Sequence, residues 1–101
     1  MGGQAIRLHN EQQANQLKVQ GLATLNLSES DLVSMAKGSL EKRVLVWFVK
    51  SHTTVRNAWV SAELHCGHPS NIGMYVKSIR ESKDRKVKKL CKALLAKLNE
   101  P

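Results

Sequence analysis

The stretch Lys42–Arg80, KRVLVWFVKSHTTVRNAWVSAELHCGHPSNIGMYVKSIR, leaves this chain few ways to fold. It opens on an apolar helix. Leu40, Val44, Trp47 and Phe48 stand at i, i+4, i+7 and i+8, and Val46 and Val49 widen the stripe. VLVWFV alone would also suit a buried strand, but Ser39 offers a cap in front of it and no partner strand stands out elsewhere. A second helix is expected over TVRNAWVSAELH, capped by Thr53 or Thr54. Val55, Ala58, Trp59 and Ala62 would face inward, with Val60 and Leu64 beside them. His65, Cys66 and Gly67 end it. Pro69 suits the first turn of a third helix, with His68 or Ser70 near its cap. Ile72, Tyr75 or Val76, and Ile79 then face inward, leaving Asn71, Gly73, Met74, Lys77, Ser78 and Arg80 outside. The order is a helix-turn-helix with a supporting helix in front.

The flanks prop up this stretch. Residues 1–9 carry little pattern and are expected to form a loose arm. Asn10 with Gln13 has capping-box spacing and opens a helix with Leu17, Gly21 or Leu22, and Leu25 on its stripe. Ser28 with Asp31 opens a short helix with Leu32, Val33 and Met35 on its apolar side, ended by Lys37 and Gly38. Near the end, Val87, Leu90, Cys91, Leu94, Leu95 and Leu98 make an unbroken helical series among many lysines. The expectation is an all-α bundle of about six helices. Residues 10–101 form the domain, with the helix-turn-helix at about 54–82 and a basic amphipathic helix at about 84–99.

Charge narrows the function. Sixteen Lys and Arg against eight Asp and Glu leave a net charge of +8 over 101 residues. Such a balance points to a polyanionic partner. No apolar run is long enough to cross a bilayer, so no membrane role is expected. The basic last helix lacks the Trp or Phe anchors of a membrane-surface helix. The start shows no signal-peptide pattern, and Ile6 stands where a myristoylation signal wants Ser or Thr. Two cysteines make no disulfide framework, and a cytoplasmic, nucleoid-associated location is expected. His65, Cys66 and His68 lack the further ligands of a zinc site. No catalytic set or phosphate loop stands out, so neither enzyme activity nor a cofactor is expected.

DNA is then the expected partner, duplex or hairpin. A recognition helix presents its first residues to base edges. Ser70, Asn71 and Met74 suit that face; Asn71 can pair with adenine, and Lys77 or Arg80 can meet guanine or phosphate. Thr54 and Arg56, at the expected start of the second helix, would hold a phosphate. His68 stands beside the turn, and Lys83 and Lys89 add sequence-independent attraction. The alternative is a helical protein-interaction domain whose charge serves an acidic partner or solubility. RNA is a weaker option, because the few aromatics are needed for the core.

The pattern also resembles a known family. Trp47, Thr53-Thr54-Val55, Trp59, Leu64 and Gly67-His68-Pro69-Ser70-Asn71, preceded by LNLSESDL and KGSLEKR, resemble the C-terminal helical domain of REP-associated tyrosine transposases. That domain is similar to the Trp-repressor and DnaA domain IV type of helix-turn-helix. The resemblance implies sequence-specific binding to DNA near mobile or repeated elements. SHTTV is similar to the DnaA recognition signature but sits one helix early, and His68–Ile72 takes the matching place. The nuclease domain of that family needs a His-hydrophobic-His pair, which this chain lacks, so cutting is not implied. The chain would be an excised domain or a stand-alone relative, and a protein partner or a second copy stays open.

Overall fold

A computed structural model describes residues 2–98, with side chains from Glu11 onward. Among the described residues there are six helices and no strand: α1 (Gly2–Leu25), α2 (Glu29–Ser34), α3 (Leu40–His52), α4 (Asn57–Glu63), α5 (Asn71–Glu81) and α6 (Arg85–Leu98). The all-α bundle expected from periodicity is what forms. Its axis is α3, whose Val44, Leu45, Val46, Phe48 and Val49 are fully buried. Burying side chains of this size favours folding by about 1.5–3 kcal/mol each. α5 and α1 pack on α3, and α6 closes across α1 and α3. Gly21 permits the α1–α3 approach, since a Cβ there would lie 2.5 Å from Leu45 Cδ2. The radius of gyration, 13.1 Å, is that of a single packed body of this length.

Several helix ends follow the expected chemistry. Ser28 and Asp31 form a reciprocal capping box: Asp31 N–H donates to Ser28 Oγ at 3.2 Å, and Ser28 N–H to Asp31 Oδ2 at 2.8 Å. Asp84 caps α6, accepting from Lys86 N–H at 2.8 Å. At Ser39 the cap lacks its side-chain bond, and Ser39 Oγ is buried without a partner among the described residues.

Elsewhere the structure departs from the sequence pattern. α1 is helical from Gly2, where a loose arm and a cap at Asn10 were expected. Gln4, Ala5, Arg7 and Leu8 are good helix formers, and Asn10 inside a helix costs under about 0.7 kcal/mol. Neither Thr53 nor Thr54 caps α4. Thr53 is the C-terminal cap of α3 in extended conformation, and its Oγ1 donates to Val49 O at 2.9 Å. The β-branched run Thr53-Thr54-Val55 favours extended backbone, so α4 starts only at Asn57, after Arg56. The inward face of α4 is also narrower than expected. Val60, Ser61 and Leu64 are buried, while Ala58 and Ala62 face solvent. Val33, assigned to an apolar side, is 65% exposed.

Two lysines are buried where periodicity marks only surface. Lys18 is held by Glu29 and Glu63, linking α1 to α2 and α4. Lys42, 1% exposed, donates from Nζ to His65 O at 2.7 Å and Met35 O at 3.3 Å. It thereby ties the ends of α2 and α4 to α3.

Candidate interaction surface

The surface is built on the turn between α4 and α5. His65 takes the left-handed conformation that ends α4 (φ 55°), and Gly67 takes a second positive φ of 84°. Cys66 N–H donates back to Ser61 O at 2.9 Å, the bond of a Schellman end. His68 Nδ1 accepts from Ser70 N–H at 3.1 Å and lies 2.9 Å from Ser70 Oγ. Ile72 N–H then reaches Pro69 O at 3.1 Å, and α5 begins. Ile72, Tyr75 and Ile79 anchor α5 in the core. That fixes which side faces out.

The expected contact residues do not form one cluster. Asn71 is half-buried at the start of α5; Met74 is 59% exposed, and Lys77 and Arg80 are exposed. His68 and Ser70 are exposed in the turn but bonded to each other. Thr54 and Arg56 lie on the extended link, outside a helical first turn. Lys83 stands in the α5–α6 connection, and Lys89 is exposed on α6.

Lys77 and Arg80 line a cleft of about 560 Å³ with Lys50, Asn57, Gly73 and Glu81. Gly73 is open ground, with nothing within 4 Å of where a Cβ would point. Lys50 closes the far side and donates from Nζ to Val55 O at 2.7 Å. Its burial lowers the pKa of the ammonium. Arg43 braces the back of α5, reaching Gly38 O at 3.0 Å and Ser78 Oγ at 3.2 Å.

Arg80 also borders a second hollow, a groove of about 460 Å³ between α3, α5 and α6. Its apolar members include Trp47, Ile79, Val87, Cys91 and Leu95, and Lys88 and Lys92 stand beside them. Trp47 and Cys91 pack half-buried against the core, whereas Leu95 is not covered by it. The missed signal is the width of the α6 stripe: Val87 and Leu94 are buried, whereas Leu95 stays 36% exposed. Lys50 was missed because only the fold brings it to α5.

Other chemistry is sparse. Among the described residues no three His, Cys, Asp or Glu side chains gather as a metal group requires. Cys66 and Cys91 are free thiols. Burial raises the Cys66 pKa, opposed by Lys42, and burial also raises that of Cys91. Both thiols are thus held in the less nucleophilic form. Among the described residues no helix is long and apolar enough to cross a membrane.

Comparison with known proteins bears on α5 and α6. Residues 69–97 match a family model described as Med26, a TFIIS helical bundle-like domain. No curated protein and no solved structure matches the chain. The match corrects the resemblance to the REP-associated tyrosine transposases: the segment that would carry their recognition helix matches a different helical bundle. The Thr53-Thr54-Val55 element of that resemblance is an extended link in the structure.

Proposed function

We propose that this chain is a helical protein-interaction domain of a transcription-related assembly, with its basic surface serving an acidic partner. The observation that carries the proposal is the meeting at Arg80 of a cleft holding Lys50 and Lys77 with an apolar groove flanked by Lys88 and Lys92. Cations alone would serve DNA or protein equally. An apolar groove beside them favours a protein, because burying apolar surface supplies affinity that a phosphate backbone does not use. The match of residues 69–97 to a TFIIS helical bundle-like domain supports the same direction. The domain acts by binding, without catalysis of its own.

A second reading, direct DNA binding, has one observation in its favour: Lys77 and Arg80 stand on the exposed face of α5 with Asn71 at its start. Fluorescence anisotropy separates the two. A labelled acidic peptide, a duplex DNA and an RNA of similar charge would be titrated with the chain at two salt concentrations. The protein-interaction reading expects peptide binding that survives moderate salt, and nucleic-acid binding that is indifferent to sequence and falls steeply with salt. Sequence-selective duplex binding without peptide binding would overturn it.

A further inference from the structure

The groove between α3, α5 and α6 is an unfinished piece of core. Trp47 and Cys91 are half-buried and Leu95 is 36% exposed, although all three lie on helix faces that otherwise turn inward. The helix stripes are wider than the bundle can cover. Among the described residues none that lines the groove is acidic, and Arg80, Lys88 and Lys92 border it. A volume of about 460 Å³ falls within the usual range for a ligand pocket.

We infer that this groove seats one or two bulky apolar side chains from an acidic amphipathic segment of a partner protein, whose carboxylates meet Arg80, Lys88 and Lys92. The inference rests on the protein-interaction reading above and gives it a location and a partner chemistry. Charge complementarity selects the occupant. A neutral apolar peptide would leave three cations beside a newly dried surface, and a basic one would be repelled. Nucleic acid would lay charged phosphates over an apolar floor, where their desolvation goes unrepaid. A helix with apolar residues at i, i+3 and i+4 and carboxylates on its flanks satisfies both parts of the site.

Two synthetic peptides test this against the full chain. One is helix-forming, with Leu and Phe on one face and Glu on its flanks; the control keeps the charge and replaces Leu and Phe by Ser. The readouts are affinity and the NMR resonance of the Trp47 indole. The Leu/Phe peptide is expected to bind at least about tenfold tighter than the control and to shift the Trp47 resonance. Leu95→Ser should remove that advantage while costing less stability than truncation of the fully buried Leu94, because Leu95 is 36% exposed. Lys88→Glu should weaken both peptides.

Equal binding of both peptides, unaffected by Leu95→Ser, would overturn the groove but leave the acidic-partner reading standing. Binding of neither would overturn both. Preference for anionic vesicles or duplex DNA over the Leu/Phe peptide, lost in Leu95→Ser, would overturn the assigned occupant. So would self-association abolished by the same substitution.

Discussion

Lys42 shows at the scale of one residue what helical periodicity hides. Its position on α3 is buried because its ammonium has two carbonyl partners, Met35 O and His65 O, at the ends of two other helices. Removing the ammonium leaves both oxygens short of a donor. Lys42→Met should therefore destabilise the fold by about 2–4 kcal/mol in urea unfolding, although Met is a good helix former. The pH dependence has a defined sign. Burial holds the Lys42 pKa below its ordinary value, with Lys37 adding to the lowering and Cys66 opposing it. Between that lowered value and about 10.4 the unfolded chain binds more protons than the folded one, so the Lys42 contribution grows as pH rises. Measured in a Cys66→Ala background, the deficit of Lys42→Met should widen from neutral pH toward pH about 10. A constant deficit would mean that burial does not perturb this lysine.

Single elements were legible where the signal is local. Ser28 with Asp31 specifies the start of α2 by its own chemistry, and the capping box forms as spelled. Ser28→Ala should lower stability by about 1 kcal/mol in urea unfolding, a large effect for a six-residue helix. No loss would show that α2 is held by the burial of Leu32 alone. The start of α4 was not legible. Thr53 has the side chain of a cap but spends it on Val49 O, closing the preceding helix. Which of two adjacent helices a threonine serves depends on the backbone between them, and spacing does not encode that. α6 was legible as a helix but not as a surface. Its stripe tells that Leu94 and Leu95 sit on the apolar side; only the packing of α1 and α3 decides that one is covered and the other is not.

For the whole molecule, the all-helical bundle was readable because six periodic segments offered no strand to pair. The partner surface was not, because its parts come from distant segments. Lys50 and Trp47 come from α3, Asn57 from α4, Lys77 and Arg80 from α5, and Lys88, Cys91 and Leu95 from α6. A net charge of +8 announces an anion without naming it. The sequence order around Pro69 drew the reading toward a transposase-type helix-turn-helix, whereas the matching family model for residues 69–97 is a TFIIS helical bundle-like domain.

Charge reversal at Arg80, where cleft and groove meet, is the measurement to make first. Affinity for the acidic Leu/Phe peptide would be measured for the wild-type chain and for Arg80→Glu, then repeated with one flanking Glu of the peptide replaced by Arg. An acidic partner seated across cleft and groove requires a loss of about tenfold for Arg80→Glu with the acidic peptide, and partial recovery with the Arg-bearing peptide. Unchanged affinity in Arg80→Glu would contradict it, because a partner that ignores Arg80 engages neither hollow as described.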